Sequence, residues 1–320
     1  MPAPDGSHRR GRSPTTGGWG GQALRTSTVS GVISLPDAVG RALGSAVAAT
    51  ARVHGGDVAA AFRMDLADGR RVFAKTHPSP PAGFFTTEAT GLRWLHEPEV
   101  VPVPEVLAVS DGGDDEPPHL VLEWIDEGRP AGDTDAVLGR ALAGLHRHGF
   151  DTFGRPDRRS TGSRGLLNEP SATWADFYAT QRMAPLARLA RDGRALPESA
   201  IAGLERLDAD RLAAVGGPPE PPARLHGDLW AGNRLVDRQG RSWLIDPAAH
   251  GGHREFDLAM MRLFGGFGPA CFAAYEEAHP LAPGWEARVA LHQIAPLVVH
   301  AVKFGGGYVA AAADAIARYA

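Results

Sequence analysis

The run His226-Gly227-Asp228-Leu229-Trp230-Ala231-Gly232-Asn233 puts an acid five residues before an asparagine. Downstream, Leu244-Ile245-Asp246-Pro247 adds a second acid after an apolar stretch. This order suits phosphoryl transfer from Mg-ATP. A carboxylate at Asp228 would accept the proton of an attacking hydroxyl. The Asn233 carbonyl and the Asp246 carboxylate are hard oxygen donors of the kind Mg²⁺ takes. The same reaction needs a lysine on a strand for the α- and β-phosphates and a glutamate on the next helix to orient it. Lys75 ends the stretch Val72-Phe73-Ala74, and Glu88 follows in a helical pattern. Gly55-Gly56 offers unencumbered backbone amides for phosphate oxygens. No GxxxxGK[ST] occurs in the chain, which excludes a P-loop as the phosphate cradle.

Two further features bear on the chemistry. Trp230 lies two residues from Asp228, where an indole face could cover sugar C–H groups; the alternative is a core ring. His250, His253, Glu255 and Asp257 lack the spacing of a zinc site. That run is read as structural, with Asp257 capping a helix or accepting backbone amides of the 226–233 loop.

The elements that must position these residues fall into two groups. Strands are predicted over 46–53, 58–66 and 71–75 as an antiparallel meander, then over 105–109 and 119–125, with a helix over 84–97 between them. After Gly128 the pattern turns helical. Asp133 is placed to cap a helix ending at His148, with Val137, Leu138, Ala141, Leu142 and Leu145 on one apolar face. Ser171 is placed to cap a second helix through Trp174, Phe177 and Tyr178. A hairpin over 234–236 and 242–245 follows the asparagine, and helices fill the rest. The expected fold class is α+β: a small antiparallel-sheet lobe over 32–126 and a larger, mostly helical lobe over 127–320. Residues 1–31, rich in Gly, Ser, Thr, Pro and Arg, are expected to be a disordered tail.

Composition removes several other classes. The 320 residues are 43% hydrophobic, enough for a real core, and a formal charge of -4 leaves no footprint for nucleic acid. A lone cysteine, Cys271, excludes an internal disulfide framework and any CxxC site. The uncharged stretch 289–302 is short and contains His292, Gln293, Pro296 and His300, so no membrane span is expected. A soluble protein of a reducing compartment, the cytoplasm, fits these limits. Among the 33 basic residues there are two lysines, Lys75 and Lys303.

HGDLWAGN, the LIDPA stretch, Gly252-His253-Arg254-Glu255-Phe256-Asp257-Leu258-Ala259-Met260, Leu263-Phe264-Gly265-Gly266-Phe267 and Phe304-Gly305-Gly306-Gly307-Tyr308 resemble the fructosamine (ketosamine 3-) kinases. The resemblance covers roughly residues 32 to 310 and also includes 138–146 and Phe153-Gly154. It implies a protein-kinase-like two-lobed fold that transfers the ATP γ-phosphate to the 3-hydroxyl of a ketosamine, which is then deglycated. The substrate would be a small ketosamine or a glycated amine or protein. Carried over, Asp228 is the base, Asn233 and Asp246 hold magnesium, and Lys75 pairs with Glu88. Glu123-Trp124-Ile125 would offer backbone groups to adenine. Arg158, Arg159 and Arg164 stand in a segment that differs from the family's usual residues, so sugar preference could differ. Those arginines also speak against the alternative of a kinase for polycationic aminoglycosides. A kinase for an amino alcohol and a pseudokinase scaffold remain as the other readings.

Overall fold

The computed structural model describes residues 33–53, 59–113, 115–157, 159–160 and 165–320. The expected tail and the Gly55-Gly56 turn lie outside the described residues. Helix α1 (Leu35–Leu43) opens the described chain, followed by strands β1 (Val47–Val53), β2 (Ala60–Leu66) and β3 (Arg71–Thr76). Helix α2 (Phe84–His96) leads to β4 (Val106–Ser110) and β5 (His119–Glu123). The five strands form one antiparallel sheet in the order β1-β2-β3-β5-β4. Each strand matches its expected span to within two residues at both ends.

Alternation along β3 separates two jobs. Val72 and Ala74 face Val39 of α1, Met64 and Val121, so Phe73 and Lys75 point to the opposite side. Phe73 packs there against the core cluster to which Phe85, Ala89 and Leu92 of α2 belong. Those three α2 residues are fully buried at helical spacing. Glu88, three after Phe85 and four before Leu92, therefore rides the same face towards Lys75. The start of α2 has no side-chain cap of its own. Asp111, just after β4, replaces it by accepting from the amides of Phe85 and Thr86 at 3.0 and 3.1 Å.

The rest of the chain is mainly helical. It runs through α3 (Thr134–His148), α4 (Trp174–Tyr178), α5 (Ala184–Asp192), α6 (Glu198–Arg206) and α7 (Ala209–Val215). Short strands β6 (Ala223–Leu225), β7 (Arg234–Val236), β8 (Ser242–Leu244) and β9 (His250–Gly252) follow. Helices α8 (Glu255–Phe264), α9 (Pro269–Ala278), α10 (Trp285–Phe304) and α11 (Gly307–Ala317) complete it. β7 pairs with β8 as the expected hairpin, whereas β6 pairs with β9 across the 226–249 segment. No described helix is long and apolar enough to cross a membrane.

Three local expectations are corrected. Asp133 makes no side-chain bond to α3. Thr134 anchors that end instead, accepting from Ala131 N at 2.8 Å and donating to the Gly240 carbonyl at 2.7 Å. The buried face of α3 is Leu138, Gly139, Leu142, Leu145 and His146, while Val137 is 44% exposed. The face is rotated because Gly139 lets the α9 backbone come close: a Cβ there would overlap the Cys271 carbonyl. Ser171 bonds through its backbone to Phe153, and Thr173 caps α4 by accepting from Asp176 N at 3.1 Å.

The two glycines of α3 should behave oppositely. Gly139→Ala forces α3 and α9 apart and should cost about 1–3 kcal/mol. Gly144→Ala, whose Cβ would rest 3.6 Å from Val100, should be neutral or stabilise by up to about 1 kcal/mol through helix propensity. Urea unfolding of both variants checks the contrast; equal effects would refute the close α3–α9 approach.

Candidate active site

Lys75 is the meeting point of three segments. Its ammonium lies 2.6 Å from Glu88 Oε1 on α2 and 2.7 Å from Asp246 Oδ1, just after β8. Lys75 is 7% exposed. Burial works against its charge, but the two carboxylates outweigh it and raise its pKa. Burial lifts the Glu88 carboxyl, with the facing Asp246 adding to it against the pull of Lys75. Asp246 goes the other way: burial opposes ionisation, yet the Lys75 charge and hydrogen bond hold it below the ordinary carboxylate range. Asp246 reaches this place through a left-handed backbone, φ 52°, which turns it out of the strand line. Asp tolerates that conformation better than most residues.

Asp228 sits in the loop between β6 and the 231–233 turn. The Asn233 amide donates to the Asp228 backbone carbonyl at 2.8 Å and to its Oδ2 at 3.2 Å. Burial raises the Asp228 carboxyl to about 6; the Asn233 hydrogen bond pulls it down, and the Asp246 and Asp257 charges push it up. It is therefore an ionised carboxylate in neutral water, basic enough to take a hydroxyl proton. With its nitrogen committed to Asp228, the Asn233 amide leaves its oxygen as a donor. That oxygen and Asp246 make a hard-oxygen pair suited to a divalent cation such as Mg²⁺.

The loop is fixed from below by Asp257 on α8. Its two carboxylate oxygens accept from His226 N at 2.8 Å and Gly227 N at 2.9 Å, the second of the two roles expected from sequence. Burial opposes the ionisation of Asp257, but the His146 hydrogen bond, with help from the Gly227 amide, outweighs it and holds the carboxyl below the ordinary carboxylate range. His146 Nε2 lies 3.3 Å from Asp257, and its Nδ1 meets the Tyr275 hydroxyl at 2.8 Å. The loop is also tied to the Asp246 side. His226 Nε2 bonds the Ile245 carbonyl at 2.9 Å, and Ile245 N donates to the Asn233 carbonyl at 3.0 Å. Gly227, at φ 80°, leaves no room for a Cβ beside the Ala248 carbonyl.

Trp230 is 39% exposed, so its ring is not in the core, and it meets Phe264 edge-on at 6.2 Å. Glu123, Trp124 and Ile125 leave the end of β5. The Glu123 carboxylate accepts from Glu105 N, and the Trp124 indole donates to Asp126. Arg158 and Arg164 lie outside the described residues. Arg159 turns to α2, donating to Thr86 Oγ1 at 2.9 Å. Donor atoms of buried His253, Glu255 and His292 lie within 4.8 Å of one another. Arg288 takes both Glu255 oxygens at the same place. Sequence reasoning missed His146 and Tyr275. The available signal was a histidine four residues after Leu142 on the apolar stripe of α3.

Known structures share this fold. A Thermobifida fusca structure described as a fructosamine-3-kinase superposes with a TM-score of 0.79 at 40% identity, covering 89% of this chain and 97% of that one. An aminoglycoside phosphotransferase in ternary complex with ADP and hygromycin B, at TM-score 0.59 and 18% identity, shares the fold over 90% of this chain and 99% of its own. The protein is thus a phosphotransferase of the protein-kinase-like class, with an antiparallel-sheet lobe and a larger helical one. A Lactiplantibacillus plantarum protein named as a ketoamine kinase is 35% identical over 80% of this chain and 89% of its own. The chloroplastic protein-ribulosamine 3-kinase of Arabidopsis thaliana is 32% identical over 79% and 77%. The fructosamine kinase family model matches residues 36–320. The chain belongs to the fructosamine kinase family.

Asp257→Asn keeps the shape but points an N–H at a backbone N–H. It should lose about 1–3 kcal/mol of stability, the cost of an unsatisfied buried group, together with activity. Denaturant unfolding checks it; unchanged stability would release Asp257 from its anchoring role.

Proposed function

We propose that the protein phosphorylates the 3-hydroxyl of ketosamines, with ATP as donor and Mg²⁺ as the metal. The observation that carries this reading is the pairing of a half-buried carboxylate, Asp228, raised to about 6, with the exposed indole of Trp230 two residues on. The first accepts a proton from a sugar hydroxyl; the second offers a flat face to sugar C–H groups. The names of the relatives, ketoamine and ribulosamine kinases, support the same substrate class.

In this reading Asp228 takes the proton of the attacking hydroxyl while Asn233 keeps its carboxylate oriented. Asn233 and Asp246 would hold Mg²⁺, and Lys75, steadied by Glu88, would hold the phosphates. Gly55 and Gly56 would supply backbone amides, and Glu123, Trp124 and Ile125 would border adenine. Bound Mg-ATP supplies the phosphoryl group and the charge neutralisation its transfer needs. A phosphate at O3, next to the C2 carbonyl, is a good leaving group once a proton leaves C1. Its elimination followed by hydrolysis frees the amine, which makes deglycation the outcome. A polycationic acceptor fits less well, because the Trp230 ring, two residues from Asp228, continues into the rings of Phe264 and His300.

The reading is tested by ATP turnover with fructose-, ribulose- and erythrulose-amine adducts beside aminoglycosides; turnover of aminoglycosides alone would refute it. Asp228→Asn should cut turnover on the order of 10²-fold or more while leaving ATP binding near normal. Because the base works only when ionised, kcat/KM of the wild type should be flat above a pKa of about 6 and fall about tenfold per pH unit below it. A profile without that limb would remove Asp228 as base.

Trp230→Ala should raise KM for a ribulose-amine adduct by the equivalent of about 1–3 kcal/mol, with KM for ATP little changed. Steady-state kinetics on both substrates decide. Equal damage to both constants would make Trp230 a support of the loop, and unchanged sugar kinetics would remove it from the site.

A further inference from the structure

A row of rings runs outward from the loop that carries Asp228. The Trp230 ring lies over Gly232, where a Cβ would overlap it. Gly232 precedes Asn233, whose amide is 3.2 Å from Asp228 Oδ2. Trp230 meets Phe264, the last residue of α8, at 6.2 Å. That end of α8 is held to the loop, since a Cβ on Gly266 would overlap Ala231. From Phe264 the row passes to His300 at 4.8 Å, and from His300 to Phe304 at 5.5 Å and Tyr308 at 5.0 Å. Gly305 and Gly306, at φ 64° and 60°, bend the chain between α10 and α11 and bring Tyr308 back onto the row. Phe264 and Tyr308 are backed by the helical core. Trp230 and Phe304 are not: at 39% and 53% exposure they are the two exposed Trp, Tyr or Phe rings among the described residues. Phe304 stays that open although the Lys303 ammonium lies 4.7 Å from its ring centroid. Burial lowers the His300 pKa, so the middle of the row is uncharged in neutral water. Exposed rings that continue one another mark a surface for a ligand.

A ketosamine has two halves, one on each side of the reacting C3. The sugar tail is a polyol whose hydroxyls need hydrogen-bond partners, and a row of ring faces does not supply them. The group on the nitrogen is the half that can be apolar, and only C1 and C2 separate that nitrogen from C3. The nitrogen itself, a protonated secondary amine in neutral water, is compatible with ring faces, which attract cations. We infer that the row from Phe264 to Phe304 takes the group attached to the ketosamine nitrogen. Adducts of amines with an aromatic or large apolar substituent are then preferred over adducts of small amines. The inference rests on the ketosamine reading and names the amine half of the substrate.

The test compares kcat/KM for the ribulose adducts of benzylamine and of methylamine, which carry the same charge, in the wild type, Phe304→Ala and Phe304→Tyr. The wild type should favour the benzylamine adduct about fivefold, the scale of one ring–ring contact. Phe304→Ala should bring the ratio close to one while leaving the methylamine adduct near its wild-type value. Phe304→Tyr, which keeps the ring, should keep the preference. An unaltered ratio in Phe304→Ala overturns the inference. Equal losses on both adducts also overturn it and make Phe304 a support of the bend between α10 and α11. A wild type that turns over both adducts without preference sinks this inference alone. Turnover of neither adduct sinks the ketosamine reading with it.

Discussion

A buried ammonium is costly to leave unpaired, and Lys75 has its two partners on segments that are remote in sequence. Glu88 comes from α2 and Asp246 from a turn 171 residues after Lys75. The contact therefore fixes three things together: the facing of β3, the rotation of α2 about its axis, and the distance between the sheet and the acid side. Each has its own local cause. Alternation sets the first, the Phe85, Ala89 and Leu92 stripe sets the second, and the left-handed turn at Asp246 sets the third. The salt bridge itself adds little net stability; what it adds is a defined geometry.

On the other side of the cleft the organising group is a carboxylate. Asp257 satisfies two backbone amides that would otherwise be orphaned in a buried loop. His146 and Tyr275 extend that support into α3 and α9. The close approach of these helices at Gly139 is what brings both side chains within reach of α8. Packing among helices far from the cleft thus sets the orientation of Asp228.

Much of this was legible in the sequence. Strand periods and the Asp-Gly turn at 68–69 located the meander, and the motif around Asp228 and Asn233 together with the later Asp246 marked residues that the fold brings together. Residues on those motifs are close in sequence, so spacing alone limits where they can go. What was hidden depends on contacts distant in sequence. The α3 face is rotated by the approach of α9, which no pattern within 133–148 records. The α4 cap moved from Ser171 to Thr173 because Phe153 claims the Ser171 backbone. The partners of Asp257 were invisible for the same reason: an amide acceptor has no sequence pattern of its own.

The three bonds linking His226, Ile245, Asn233 and Asp228, with Gly227 wedged beneath Ala248, have a mechanical consequence. Asp228 and Asp246 cannot swing independently, so the reach between them is a fixed span. Any breathing of the cleft must then be carried by the sheet and α2 moving over an unyielding floor. Its stroke would be read at one place, the gap between the Lys75 ammonium and the Asp246 carboxylate, which stands at 2.7 Å here.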